Sequence, residues 1–304
     1  MPASALKNNG MANSSVSIWK GPFFLLSACI IWGCQFPVSK AVLAVIDPME
    51  LVFLRLIIGT LCLLIIGLFC HVSWKIERQH WPLLLLMSLS GYVISIWAQF
   101  YGTALTTSQI SAVIMSTIPI GMVILSRLIL KEHITRRKGL AVCTATAGVI
   151  IIIGIGDIEP SQQFGGLLLL LAVITVALMM VLVKKVPSRY SMLTITMYCM
   201  LISDIILAPF ESGGVPYAIL AMISDWHLLA GVLFIGIFAT GLAYYFWNKG
   251  LTYTSASTGG MYLFVQPITG TLLGWLLLGE TIGPSFLIGT ALILGSGLIV
   301  AKES

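Results

Sequence analysis

The sequence predicts an all-α polytopic membrane protein: ten transmembrane helices in two inverted five-helix repeats, with both termini cytoplasmic. Three observations carry this prediction. Of 304 residues, 58% are hydrophobic and only 9% charged, with a mean hydropathy of +1.03, which excludes a water-soluble globule. The stretch 99–152 recurs, loosely and without gaps, 148 residues later, so that Gly102 meets Gly250, Thr106 meets Thr254, Pro119 meets Pro267, Glu132 meets Glu280 and Ile134 meets Ile282. With the N-terminus inside, 14 of the 16 Lys and Arg residues fall on the inner side, where retained positive charge belongs.

Taken in order, residues 1–20 are polar, small and Asn-rich and read as a mobile cytoplasmic tail. The apolar run after Lys20 is too long for a signal-peptide core and lacks a small-residue cleavage site. Ten apolar segments follow, at about 22–45, 49–70, 82–104, 107–129, 138–156, 165–185, 191–209, 228–250, 255–278 and 284–301. They are twice the length of a barrel strand and lack period-two alternation, so they read as helices. The six cysteines all fall in apolar segments without a CxxC pair, as packing residues.

The repeat and the charges agree with each other. A five-helix unit repeated once must insert its second copy upside down. The loop KEHITRRKG of the first copy carries four Lys and Arg residues and its partner GETIGPSF none, as opposite sides of a membrane require. Helix one also has a weak partner at an offset of 144, LLSACIIWGCQFPVSK against LLLAVITVALMMVLVK. The organisation expected is therefore a tail (1–20), a first repeat (21–157) and a second repeat (158–304), with no separate soluble domain.

IWGCQFPVSK, FLRLIIG, LILKEHITRRKGLAVCTATAGVIIII and LLLGETIGPSFLIGTALILGSGLIV resemble the paired repeat units of the drug/metabolite transporter superfamily, EamA type. The sixth segment departs from that pattern, lacking the Trp-Gly and aromatic signature of the first. The resemblance covers about residues 22–301 and implies a ten-helix exporter or exchanger of amino acids or other small metabolites, working by alternating access around a central cavity. It implies no particular substrate.

Polar and aromatic residues at helical spacing mark a candidate lumen, because lipid-facing positions disfavour them. The stripes are Trp32, Gln35 and Ser39; Tyr92, Ser95, Gln99 and Thr103; Thr240, Tyr244 and Asn248; and Ser255, Thr258, Tyr262, Gln266 and Thr269. Ser and Thr in such stripes also serve helix packing, whereas Gln99 and Gln266, each with two donors and two acceptors to satisfy, point to a cavity wall. Pro119 and Pro267 occupy equivalent positions within their helices as gating kinks or static bends. Glu132 and Glu280 are expected to accept from the first amides of the helix that follows each.

Three charges break the pattern. Lys40 either snorkels outward or meets a substrate carboxylate, Arg55 snorkels or pairs with Glu50, and Asp204 is a proton carrier or a buried bonding partner. The expected binding set is then Trp32, Gln35, Lys40, Tyr92, Ser95, Gln99, Tyr244, Asn248, Tyr262 and Gln266. With Lys40 the most this lumen offers in positive charge, zwitterionic or uncharged metabolites fit better than phosphorylated or nucleotide-linked ones. The sequence holds none of the searched hydrolase, nucleotide or zinc motifs, so no catalytic residue, metal or cofactor is expected. The expected partners are a small-molecule substrate and the lipid bilayer, not nucleic acid, with a monomer sufficient. The setting expected is the plasma membrane, a bacterial inner membrane. A small-solute channel is the rival class, without visible charged rings.

Overall fold

The computed structural model describes residues 4–153, 160–211, 213–278 and 284–301, with side chains of the first helix described from Trp19 onward. Every regular element among them is helical. α1 (Ser4–Val42), α2 (Pro48–Phe69) and α3 (Arg78–Leu105) are followed by α4 (Ser108–Met115), α5 (Ile118–Leu130) and α6 (Arg136–Ile153). The second half holds α7 (Pro160–Leu182, extended by the 3₁₀ turn Val183–Lys185), α8 (Met192–Phe210), α9 (Val215–Ser224) and α10 (Trp226–Leu251). It closes with α11 (Ala256–Gly260), the 3₁₀ turn Met261–Phe264, α12 (Val265–Leu278) and α13 (Pro284–Ala301). Six stretches are long and apolar enough to cross a bilayer: Trp19–Val42, Pro48–Phe69, Arg78–Leu105, Gln162–Lys185, Met192–Phe210 and Trp226–Leu251. The protein is a multi-pass membrane protein.

Local chemistry sets the helix ends. Asp47 accepts from the Met49 amide at 2.9 Å ahead of Pro48, which occupies the first turn, where its missing N–H costs nothing. Asp225 caps α10 in the same way through the His227 amide. Two departures from the sequence reading stand out. α1 begins at Ser4, so the segment expected as a mobile tail continues the first span as helix; no proline interrupts it before Pro22. The loop between the seventh and eighth predicted segments contains α9, started by Gly213 at φ +86° and by Glu211, which accepts from the Gly213 and Val215 amides.

The two halves exchange helices. α1, from the first half, packs on α10 and α12 of the second, while α7, from the second, packs on α3 and α5 of the first. α6 pairs with α13. Equivalent distortions recur as well: a π-helical stretch occupies Ser88–Ile94 in α3 and Phe234–Leu242 in α10, overlapping at the 148-residue offset. The α3–α7 crossing is close because two glycines face each other. A Cβ on Gly102 would stand 2.8 Å from the Gly165 carbonyl, and one on Gly165 3.1 Å from the Gly102 carbonyl.

The prolines break helices instead of bending continuous ones. Pro119 lies in the first turn of α5, after a turn at Ser116–Thr117, and Pro267 lies three residues into α12, after the 3₁₀ turn 261–264. A proline near a helix start forfeits no hydrogen bond, so these sequences divide the fourth and ninth segments in two.

Candidate functional site

A cavity of about 20 Å³ lies in the middle part of the Trp19–Val42 span, and every residue lining it is 9% exposed or less. Its polar lining is Gln35, Arg55, Gln99 and Gln266, its aromatic lining Trp32, Phe36 and Tyr244, and its aliphatic wall Met115, Ile118, Val176 and Met180. A space of that size holds roughly one water molecule. The site is thus occluded, with its polar side chains gathered from α1, α2, α3 and α12 and Tyr244 added from α10.

Arg55 dominates the electrostatics. It is 1% exposed; its Nε donates to Thr240 Oγ1 at 2.6 Å and one terminal nitrogen donates to Gln35 Oε1 at 3.2 Å. The guanidinium carbon stands 4.5 Å from the centroid of the Phe100 ring. The other terminal nitrogen has no hydrogen-bond partner among the described residues. The Trp32 indole N–H donates to the Ala239 carbonyl at 2.9 Å, and Tyr244 packs edge-on against Trp32 and tilted against Tyr92, which fixes both aromatic faces of the cavity.

Two lysines close the bundle at its opposite ends. α1 and α10 run antiparallel: Phe24 stacks on Tyr253 at one end, and Val42 lies against Gly231 at the other. Lys40 Nζ donates to the carbonyls of Thr103, Ala104 and Thr106 at 3.3, 3.0 and 2.5 Å. Lys184 Nζ donates to Leu251 and Thr254 at 2.9 and 2.8 Å. Lys40 and Lys184 are partners at the 144 offset, while Thr103 and Leu251, and Thr106 and Thr254, are partners at 148. Each lysine ties a helix of one half to the end of a helix packed with the other. At the Lys184 end, Glu132 accepts from the Ala256 and Ser257 amides at 3.1 and 3.3 Å, and Lys138 Nζ donates to Ser257 Oγ at 2.7 Å.

Against known proteins, the EamA-like transporter family matches this chain twice, over residues 19–154 and 163–301. The chain belongs to that family. It is a membrane transporter of the drug/metabolite transporter superfamily. An "Uncharacterized transporter" of Archaeoglobus fulgidus is 28% identical over 277 residues, covering 90% of this chain and 95% of that one. The "Uncharacterized transporter YetK" of Bacillus subtilis is 29% identical over 280 residues, covering 89% and 83%. A solved crystal structure with a TM-score of 0.73 and 18% identity covers 93% of this chain and 96% of its own, a likeness of fold.

Within this EamA-family fold, the expected binding residues part company. Trp32, Gln35, Gln99, Tyr244 and Gln266 meet at the cavity. Tyr92 lies behind Tyr244, where its hydroxyl receives a 3.4 Å bond from Asn248, and Asn248 also donates to Thr196 at 2.8 Å. Ser95 donates to the Ala172 carbonyl and serves helix packing. Lys40 sits at its end latch, and neither it nor Tyr262 lines the cavity. Asp204 accepts from Thr60 at 2.8 Å, away from the cavity wall. The π stretch in α3 explains part of this, since Tyr92 lies within it and a stripe drawn back from Gln99 at uniform spacing drifts off the lumen there, whereas Ser95 and Asn248 lie in regular helix a full turn along from Gln99 and Tyr244.

Two expectations are corrected by these contacts. Arg55 neither snorkels nor pairs with Glu50, because α10 and α1 bury it and supply Thr240 and Gln35 instead. Lys40 is therefore not the only cation of the lumen region. Glu132 caps α11, not the helix next in sequence, because the exchange of helices brings the second half over its loop. Glu280 lies outside the described residues.

Proposed function

We propose that this protein is a secondary transporter of the plasma membrane that exports or exchanges amino acids or similar small metabolites by alternating access through the Trp32–Gln99–Gln266 cavity. In this reading ten helices cross the bilayer as inverted repeats. Both termini and the Lys184 end face the cytoplasm, and the Lys40 end faces outward. The observation that carries the reading is the occluded cavity lying between two equivalent lysine latches at opposite ends of the bundle. A carrier needs a central site closed on both sides in its intermediate state, and repeats of opposite orientation supply two gates of the same construction. The twofold family match and the exchange of α1 and α7 between halves are further support. Outward direction rests on the family resemblance alone.

Cells overproducing the protein are expected to release one or more amino acids or toxic analogues and to resist them. Gln99→Leu combined with Gln266→Leu removes two of the three cavity amides at nearly constant volume. The double variant should lose that release at unchanged membrane abundance. Normal release by it would move the transport site elsewhere.

A further inference from the structure

Arg55 is the feature of the cavity that its other residues leave unexplained. A guanidinium stays protonated in any protein environment and presents five N–H donors in a rigid fork. Here it is 99% buried, two of its nitrogens meet only the neutral oxygens of Gln35 and Thr240, and the remaining terminal nitrogen has no partner among the described residues. No described carboxylate approaches within ion-pair distance, since the acids of the inner helices are engaged elsewhere, Asp204 by Thr60. Burying a charge uncompensated is among the most unfavourable arrangements a membrane helix can hold, and intramembrane charges that persist face a substrate path or a partner. Arg55 faces the cavity. It is held there from both sides, by Thr240 on α10 and Phe100 on α3, so its fork is aligned before anything binds.

We infer that Arg55 anchors the carboxylate of the transported molecule, so that the substrate is a small organic acid, amino acids included, with one carboxylate and an apolar body. The free terminal nitrogen and the one now on Gln35 are the two donors a carboxylate takes in a fork, with Gln35 released to the rest of the ligand. The occluded cavity has room for about one water, so the ligand enters as the site opens, its apolar body then lying against Trp32, Phe36, Met115 and Met180. A single guanidinium neutralises a single carboxylate; dianionic phosphate esters would retain an excess charge, and uncharged metabolites would leave Arg55 uncompensated. The inference rests on the cavity being the transport site and narrows what it accepts.

The test uses purified full-length protein and its melting temperature with millimolar probes in phenyl and isobutyl series. Each series comprises the amino acid, the acid lacking the amine, the amine lacking the acid, and the uncharged carboxamide of the acid. The acids and the amino acids should raise the melting temperature of the wild type, and the amines and carboxamides should not. Protection by acids alone identifies plain carboxylates as substrates; protection by amino acids as well admits the ammonium group. Arg55→Gln should abolish the carboxylate-dependent shift, and Arg55→Lys, which keeps the charge without the fork, should require at least about tenfold more probe. If Arg55→Gln does not fold, Arg55→Lys carries the comparison. Equal shifts in wild type and variants, or no shift of the wild type with any carboxylate, overturn the anchor. Protection by carboxamides equal to that by acids, lost in Gln99→Leu with Gln266→Leu, also removes the anchor while leaving the cavity as the binding site.

Discussion

Gly102→Val is expected to eliminate most of the folded protein. Its Cβ alone would stand 2.7 Å from Leu169 Cγ and 2.8 Å from the Gly165 carbonyl oxygen, and the second of these is backbone that no rotamer change can withdraw. α3 and α7 would have to separate along the crossing that joins the two halves. Overpacking of a close-packed interior costs roughly 1–3 kcal/mol where side chains can adjust. With a helix backbone as the obstacle the cost should reach or exceed the top of that range, a large share of a total stability of about 5–15 kcal/mol. Gly139→Val is the control, because a Cβ there meets nothing within 4 Å. Monodisperse yield after detergent extraction should collapse for the first variant and hold for the second. Equal yields would mean that the crossing is looser than it stands.

Removing either latch should redirect access to the cavity, and in opposite senses. Lys40 holds three carbonyls and Lys184 two, and hydrogen bonds to charged groups contribute about 1.5–3 kcal/mol each. Even one such bond, lost only from the occluded state, shifts the balance between closed and open at that end by roughly tenfold or more. The expected readout is alkylation of a cysteine placed at Met115 on the cavity wall, in a background lacking the six native cysteines, by a membrane-impermeant maleimide. Lys40→Met should raise labelling from outside, and Lys184→Met should raise labelling from the cytoplasmic side of inverted vesicles. Labelling rates within twofold of the unmodified latches would show that the lysines are anchors and not gates.

The helical class and the repeat were legible because they depend on composition and on matched positions, such as Pro119 with Pro267 and Thr106 with Thr254, that local distortion does not erase. The weak pairing of Lys40 with Lys184 was legible too, yet its meaning required the carbonyls that each amine meets. The site was half legible. Gln35, Gln99 and Gln266 reach the cavity as polar side chains in apolar helices should, whereas Tyr92 misses it because the π turn in α3 rotates the face it occupies, and Asn248 because it lies a full helical turn beyond Tyr244. Arg55 was hidden by a competing rule. A long cation seven residues into a membrane helix can snorkel, and only the packing of α10 and α1 over it makes that route unavailable. Its depth in FLRLIIG, among residues too apolar for an exposed charge, was the signal that pointed inward.

Counterflow across reconstituted liposomes tests the central claim most directly, that one cavity serves the two ends in turn. Vesicles preloaded with an unlabelled amino acid should take up the labelled form faster than empty vesicles, and Gln99→Leu with Gln266→Leu should remove the difference. Uptake indifferent to what the vesicles contain, at equal rates for loaded and empty ones, would describe a pore and contradict the alternating cavity.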